Sequence, residues 1–96
     1  MSSRTVERIR KAIRLRAYDM TVHAAEEMAE DDLDILDVEQ AILTGQVSRT
    51  EKDDPRGTKY VLEGLATDGK TLIGVVGRFQ GERYLIITIY EISEDK

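Results

Sequence analysis

The chain has one histidine, His23, and its spacing to two carboxylates suits proton transfer. An imidazole ring titrates near neutral pH, which allows it to act as a general acid or base. Glu26 and Glu27 follow at i+3 and i+4, so both can reach the ring on a helix and stabilise its charged form. The alternative is a partly buried structural histidine, hydrogen-bonded at a helix terminus. This alternative is favoured, because the spacing fixes no second catalytic group for a lone histidine.

The acidic residues near His23 do not have the spacing of a known metal site. An H-E-x-x-H motif is absent, and Asp31 to Asp37 lacks the ligand spacing and central glycine of an EF-hand loop. The chain has no cysteine, which excludes disulfides and thiolate ligands. We therefore predict neither a metal site nor a cofactor, and we interpret the acidic run as a solvated face.

A second set of candidate residues belongs to the predicted last strand. Polar residues there alternate with Leu85, Ile87 and Ile89; they are Tyr84, Thr88 and Tyr90. If the aliphatic residues face the helices, the hydroxyl groups line the other face of the sheet. Neighbouring strands can add arginines to that face, and the candidates are Arg49, Arg78 and Arg83. Arginines that neutralise phosphate, together with groups that transfer protons, are what metal-free RNA cleavage needs. An ordinary solvent-facing sheet surface remains the alternative.

Three helices are predicted before the strands. Apolar residues recur at helical spacing in a basic amphipathic helix over 1–18, namely Val6, Ile9, Ile13 and Ala17. A two-helix segment follows over 19–45. Thr21 is the predicted N-cap of its first helix, and Asp34 with Asp37 forms a capping-box-like start to its second. Gly45 is predicted to end that helix in a left-handed conformation.

An antiparallel meander is predicted over 46–93, with strands at 46–52, 58–66, 71–79 and 83–92. The turn at 53–57 contains Pro55 and Gly57, and two further glycine-containing turns form hairpins. Gly74 and Gly77, inside a strand, indicate a bulge or a close approach of two backbones. The predicted fold is a single α+β domain over 1–96, with three N-terminal helices packed on one face of a four-stranded antiparallel sheet.

The charge is distributed unevenly. The chain carries a formal net charge of −5, yet the first 17 residues have six basic side chains against Glu7, a net charge of +5. The basic helix can follow a phosphate backbone, bind an acidic partner, or pack across the acidic helices and neutralise them. The longest apolar run, Leu85 to Ile89, is too short to span a bilayer, and the amino terminus lacks the apolar region of a secretory signal. We therefore predict a cytoplasmic protein.

At these residues the chain resembles a family of small bacterial proteins, domain-of-unknown-function family 4258. The family pattern opens with Thr-x-His-Ala-x-Glu and a methionine, and it continues through Asp-Val to a helix end in glycine. The matching positions are Thr21, His23, Ala24, Glu26, Met28, Asp37, Val38, Ala41, Ile42 and Gly45. Later similar positions are Tyr60, Gly64, Asp68, Gly69, Val75, Val76 and residues 87–90.

The resemblance implies a fold and a function. The family is similar to RelE-, BrnT- and MqsR-type toxins, which share a RelE/barnase-like fold and cleave RNA without metal. It implies a toxin-like protein with an antitoxin-like, zinc-finger partner. It also implies His23, Thr88 and Tyr90 as catalytic residues, while Arg78, Arg83 and Tyr84 are our candidates for substrate binding. This chain has Glu27 and Asp31 where many members have arginine, which disfavours a phosphate-bearing substrate. The alternative function is a catalytically inactive protein-interaction module on the same fold.

Overall fold

A computed structural model describes residues 4–52 and 54–92 of the chain. Three helices and five strands occur in the order α1 (Arg4–Arg14), β1 (Tyr18–Met20), α2 (Val22–Glu30), α3 (Ile35–Thr44), β2 (Gln46–Glu51), β3 (Lys59–Leu65), β4 (Leu72–Gln80) and β5 (Arg83–Glu91). The outer ends of the predicted helix over 1–18 and of the predicted meander over 46–93 lie outside the described residues. Asp53, in the predicted turn at 53–57, lies outside them as well.

The sheet has five strands in the order β1-β5-β4-β3-β2, and it is mixed. The prediction of a four-stranded antiparallel, RelE/barnase-like sheet behind three consecutive helices is therefore wrong. The missed strand is β1, which separates α1 from α2 and pairs in parallel with β5 through Tyr18 and Tyr84 and through Met20 and Ile86. A three-residue strand is too short to show the alternation by which strands are recognised in a sequence. β1 is a strand because its backbone pairs with β5, not because of a pattern in its own sequence.

Helix α1 packs on the rest of the domain through three of the four residues of the predicted apolar stripe; the fourth, Ala17, lies beyond the helix, which ends at Arg14 rather than at residue 18 because Arg16 has a positive φ of 58°. Val6, Ile9 and Ile13 are buried, together with Ala12. Arg10, on the same helix, donates hydrogen bonds to the carbonyl oxygens of Ile42 (3.3 Å) and Gly45 (2.6 Å). These are carbonyls at the end of α3, which lack partners within their own helix. Arg10 therefore caps α3 and joins the two helices.

The predicted helix starts are confirmed. Thr21 caps α2, and its hydroxyl accepts a hydrogen bond from the backbone N–H of Ala24 at 3.0 Å. Asp34 and Asp37 form a reciprocal capping box at the start of α3. The predicted left-handed conformation of Gly45 is wrong, because its φ is −89°. Glycine is required there for another reason: a Cβ atom would lie 2.1 Å from the carbonyl oxygen of Glu63 on β3.

All three helices contribute to a hydrophobic core on one face of the sheet, which we call the core face. The sheet residues in that core are Leu62, Ile73, Val75, Tyr84, Ile86 and Ile89. Successive side chains of a strand point to opposite faces, so the positions of β3, β4 and β5 that alternate with the core-facing ones define the outer face. Among the strand residues on the outer face are Arg78, Thr88 and Tyr90.

A β-bulge in β5 determines which side chains reach each face. Val76 of β4 pairs with Thr88, whereas the next residue, Gly77, pairs with Ile86, so Ile87 is the extra residue. An extra residue shifts the alternation by one position. Tyr84 and Ile86, before the bulge, and Ile89, after it, therefore all face the core.

Candidate functional site

His23 lies in the first turn of α2, with its side chain 68% exposed. Its Nε2 atom lies 3.2 Å from Oε2 of Glu27. The other carboxylate oxygen, Oε1, accepts a hydrogen bond of 2.9 Å from the backbone N–H of Ile89. Of the two predicted carboxylate neighbours, Glu27 contacts the ring, whereas Glu26 is exposed. The histidine is thus a surface residue held near the edge of β5.

Glu27 also has a structural role that is independent of His23. β1 pairs with β5 only from Tyr84 to Ile86, so the edge of β5 beyond it lacks a neighbouring strand. Thr21 donates a hydrogen bond of 3.0 Å to the carbonyl oxygen of Ile87, and Glu27 accepts one from Ile89. Both side chains satisfy backbone groups that a longer β1 would otherwise bind. Glu27 is therefore explained by the sheet edge as well as by proton transfer.

The three predicted hydroxyl groups do not share a face. Thr88 and Tyr90 are half-buried on the outer face, where the ring of Tyr90 covers Gly74 so closely that a Cβ atom there would lie 2.4 Å from it. Tyr84 is 0% exposed in the core. Among the described residues its hydroxyl has no hydrogen-bond partner, and burial raises its pKa above the ordinary value. The prediction that all three line one face is wrong, because the bulge at Ile87 shifts the alternation of β5 by one position.

The two arginines predicted to bind substrate have different surroundings. Arg83, at the start of β5, donates hydrogen bonds to both carboxylate oxygens of Asp19 at 2.8 and 3.0 Å. This pairing lowers the pKa of Asp19 and raises that of Arg83. Arg78 lies on the outer face of β4, pairs with Leu85 in the sheet register and is 8% exposed. Within the described ranges no residue forms an ion pair or hydrogen bond with Arg78.

The predicted residues therefore form two groups rather than one site. His23 contacts Glu27, which binds the end of β5 that carries Thr88 and Tyr90. Arg83 lies at the other end of the strand. At roughly 3.3 Å per residue, its backbone is about 16 Å from that of Thr88. No hydrogen bond or ion pair within residues 4–52 and 54–92 joins His23 to Thr88 or Tyr90. The same residues contain no cluster of three or more histidine, aspartate or glutamate side chains placed to bind a metal ion.

A groove that was not predicted lies between α1 and the β4–β5 hairpin. Its volume is about 570 Å³, and it is lined by Arg8, Lys11, Ala12, Leu15, Ala17, Phe79, Glu82 and Arg83. The Arg8 guanidinium lies 4.2 Å from the centre of the Phe79 ring in a cation–π contact. Leu15 is 65% exposed. The groove therefore combines cationic side chains with an exposed apolar surface.

The unpaired charge of this groove comes from α1. Arg83 is neutralised by Asp19, and Glu82 adds a negative charge at the rim. Arg8 and Lys11 form no ion pair with any residue that the structure describes. The sequence predicted the basic helix, but the two sides of the groove are about 70 positions apart in the chain. Only the fold brings the two sides together. The one feature of the sequence that could have indicated the groove is Phe79, the chain's one phenylalanine, which comes directly before the last hairpin turn.

The predicted packing of basic α1 across acidic α2 and α3 is only partly seen. α1 contacts α3, but it does so through Arg10 and backbone carbonyl groups. In the described part of the chain, the one ion pair of α1 is internal, between Arg10 and Glu7 at 3.8 Å. The cations of α1 thus do not neutralise the acidic helices.

The family model for the domain of unknown function DUF4258 matches residues 20–91. The chain belongs to this family. Comparisons with curated proteins and with solved structures gave no significant match. The DUF4258 match contains His23 and the last four strands of the chain, whereas α1 precedes it. The groove therefore joins the family domain to a helix outside the matched residues. Among the described helices none is both long and apolar enough to cross a membrane.

Proposed function

We propose that this DUF4258 protein is an interaction module that binds an acidic, amphipathic segment of a partner protein in the α1 groove. The observation that supports this most directly is the composition of the groove. Arg8 and Lys11 supply positive charge beside Leu15, an exposed leucine. Buried apolar area provides affinity, whereas charge at the rim selects the partner and speeds the encounter.

The apolar part of the groove favours a protein over RNA as the ligand. A phosphate backbone can pair with Arg8 and Lys11 but leaves Leu15 and Ala17 without an apolar partner. Glu82, Asp19 and the net charge of −5 repel any anion, which disfavours RNA, with a phosphate on every nucleotide, more than a short segment with a few carboxylates. An acidic segment with one leucine or phenylalanine satisfies both parts of the groove. If the protein works in a toxin–antitoxin pair, the antitoxin-like partner would supply this segment.

Binding can be measured with a fluorescein-labelled peptide of aspartate and glutamate around a single central leucine. We expect saturable binding by fluorescence anisotropy, weakened about tenfold by Arg8→Glu with Lys11→Glu, which corresponds to about 1.4 kcal/mol. The matched control is Arg49→Glu with Arg56→Glu, which changes the net charge equally on the β2–β3 side. A peptide with serine in place of leucine should bind more weakly. Equal weakening by both pairs of substitutions would show that only the net charge matters, and would contradict the proposal.

A second candidate function is metal-independent RNA cleavage by a toxin of a toxin–antitoxin pair. The observation that favours it is the position of His23, which Glu27 holds beside the strand carrying Thr88 and Tyr90. In that reaction His23 would transfer a proton, and Thr88 and Tyr90 would contact the substrate. Arg78 lies on the same outer face and has no ion-pair partner among the described residues, whereas Arg83 is paired with Asp19; at 8% exposed, however, Arg78 offers phosphate little surface.

The second function is tested by incubating the purified protein with single-stranded RNA in the presence of EDTA. Cleavage that is lost in His23→Gln but kept in Glu26→Gln would support it, since Glu26 is an exposed neighbour on the same helix. Because His23 is 68% exposed, its replacement should change the unfolding free energy by less than about 0.5 kcal/mol. If the wild-type protein leaves the RNA intact, the result would contradict the second function and leave the interaction module as the proposal.

A further inference from the structure

Positive and negative charges are separated on this molecule. Five cations on α1 and just after it form no ion pair with a described carboxylate: Arg4, Arg8, Lys11, Arg14 and Arg16. Arg10 is the exception on this helix, since it pairs with Glu7. Five carboxylates at the α2–α3 junction, which we call the acidic corner, likewise form no ion pair with a described cation: Glu26, Glu30, Asp31, Asp32 and Asp34. Neither surface is neutralised within the described chain.

The acidic corner also carries an exposed apolar residue. Leu36, in the first turn of α3, is 56% exposed and follows Asp32 and Asp34 closely in the chain. An acidic surface with one protruding leucine is the chemistry that the α1 groove requires. The groove offers Arg8 and Lys11 for the carboxylates, and its apolar lining of Ala12, Leu15, Ala17 and Phe79 offers a surface for the leucine.

We infer that the acidic corner of a second copy of this chain is the resting occupant of the α1 groove. This inference rests on the groove proposed above as the binding site, and it adds a form of regulation: a partner segment must compete with self-association. The two surfaces are different parts of the molecule, so the contact is heterologous and each pair leaves one groove and one corner free. The assembly therefore extends head to tail and depends on concentration.

Salt should dissolve this assembly. Charges on exposed surfaces are screened beyond about 30 Å at 0.01 M salt but beyond only about 3 Å at 1 M. In sedimentation velocity at low salt and several hundred micromolar protein, we expect the mean mass to rise to at least about twice the monomer mass of 10.9 kDa. At 1 M salt the protein should sediment as a monomer.

Two charge reversals provide the sharper test. Arg8→Glu with Lys11→Glu makes the groove negative, and Glu26→Lys with Glu30→Lys, at two exposed positions of α2, lowers the charge of the corner from −5 to −1. The groove variant alone should remain monomeric, because both of its surfaces are negative, and the corner variant alone should associate far more weakly than the wild type, because its corner keeps little charge. Their equimolar mixture should associate again, because the intact groove of the corner variant meets the intact corner of the groove variant. Arg49→Glu with Arg56→Glu is the control and should associate as the wild type does.

Each result supports or overturns the inference. A wild-type protein that is monomeric at low salt, or a mixture that fails to associate, would overturn it. The acidic peptide separates this failure from failure of the proposed function, since the corner variant keeps its groove. That variant should bind the peptide at least as tightly as the wild type. If the protein binds the peptide but does not self-associate, only the self-association inference is overturned. If the mixed variants associate but the protein does not bind the peptide, only the proposal of a partner segment is overturned.

Discussion

Replacing Tyr84 by phenylalanine should stabilise the protein, although the sequence pattern placed this residue in a substrate site. The side chain is 0% exposed, and its hydroxyl has no hydrogen-bond partner among the described residues. A buried polar group that gains no partner on folding costs about 1–3 kcal/mol. Removing the hydroxyl removes that cost.

The size of the effect follows from what phenylalanine retains. The ring keeps its edge-to-face contact with Phe79, whose centre lies 5.2 Å away, and its contact with Gly77. The substitution removes one oxygen atom, so the packing loss is small compared with the desolvation cost. We expect a net gain of about 1 kcal/mol in the free energy of unfolding. In a domain of this size the melting temperature should rise by roughly 4–8 °C.

Urea unfolding followed by circular dichroism measures this change, with Tyr90→Phe as the control. Tyr90 is half-buried on the outer face, so its substitution should change the unfolding free energy by less than about 0.5 kcal/mol. The slope of the free energy against urea should stay the same, because the surface exposed on unfolding is nearly unchanged. A loss of 1 kcal/mol or more in Tyr84→Phe would refute the reasoning, since it would show that the hydroxyl makes a stabilising hydrogen bond.

Three further predictions concern stability. Arg10→Ala should lower the unfolding free energy by about 1.5–3 kcal/mol, because it removes two charged hydrogen bonds to the end of α3. The control is Arg14→Ala, at an exposed position of the same helix, which should change the unfolding free energy by less than about 0.5 kcal/mol. Gly64→Ala should cost about 1–3 kcal/mol by urea unfolding, because a Cβ atom would lie 2.2 Å from the carbonyl oxygen of Ala41; an unchanged midpoint would contradict the close packing of α3 on β3. Hydrogen bonds from the backbone and hydroxyl of Thr71 lower the pKa of Asp68 to about 2. Its contribution to stability is therefore complete above the unfolded pKa of about 3.9 and decreases as the pH falls toward 2. Asp68→Asn should flatten the pH dependence of the melting temperature in that window.

Local interactions made several parts of the fold predictable. The caps at Thr21 and Asp34 depend on residues three positions apart, so their types and spacing are enough to identify them. The apolar stripe of α1 is equally local. Gly74 and Gly77 were predicted to mark a bulge or a close approach of two backbones; this holds for Gly77, beside the bulge and close to the Leu85 carbonyl oxygen, whereas Gly74 makes room for the ring of Tyr90. In each case the sequence signal and its structural partner lie on one element or on neighbouring ones.

Other features depend on residues distant in the chain. β1 exists because β5 offers it an edge, and three residues carry no periodicity of their own. The bulge at Ile87 is a mismatch between the registers of two strands, so β5 alone gives no sign of it. This one residue explains why Tyr84 was assigned to the same face as Tyr90. An alternation pattern identifies a strand, but it assigns faces correctly only when the pairing contains no extra residue.

The position of α1 determines how the groove must be tested. The helix lies before the residues that match DUF4258, which could make it look like a removable extension. Its buried residues Ile9 and Ile13 belong to the core, however, and Arg10 caps α3. Deleting α1 would therefore unfold the domain as well as remove the groove, and a loss of binding would have no unique cause. Arg8 and Lys11 are exposed and contribute to the groove without contributing to the core. Substitutions at these two residues, in an otherwise intact chain, are what separate binding from folding.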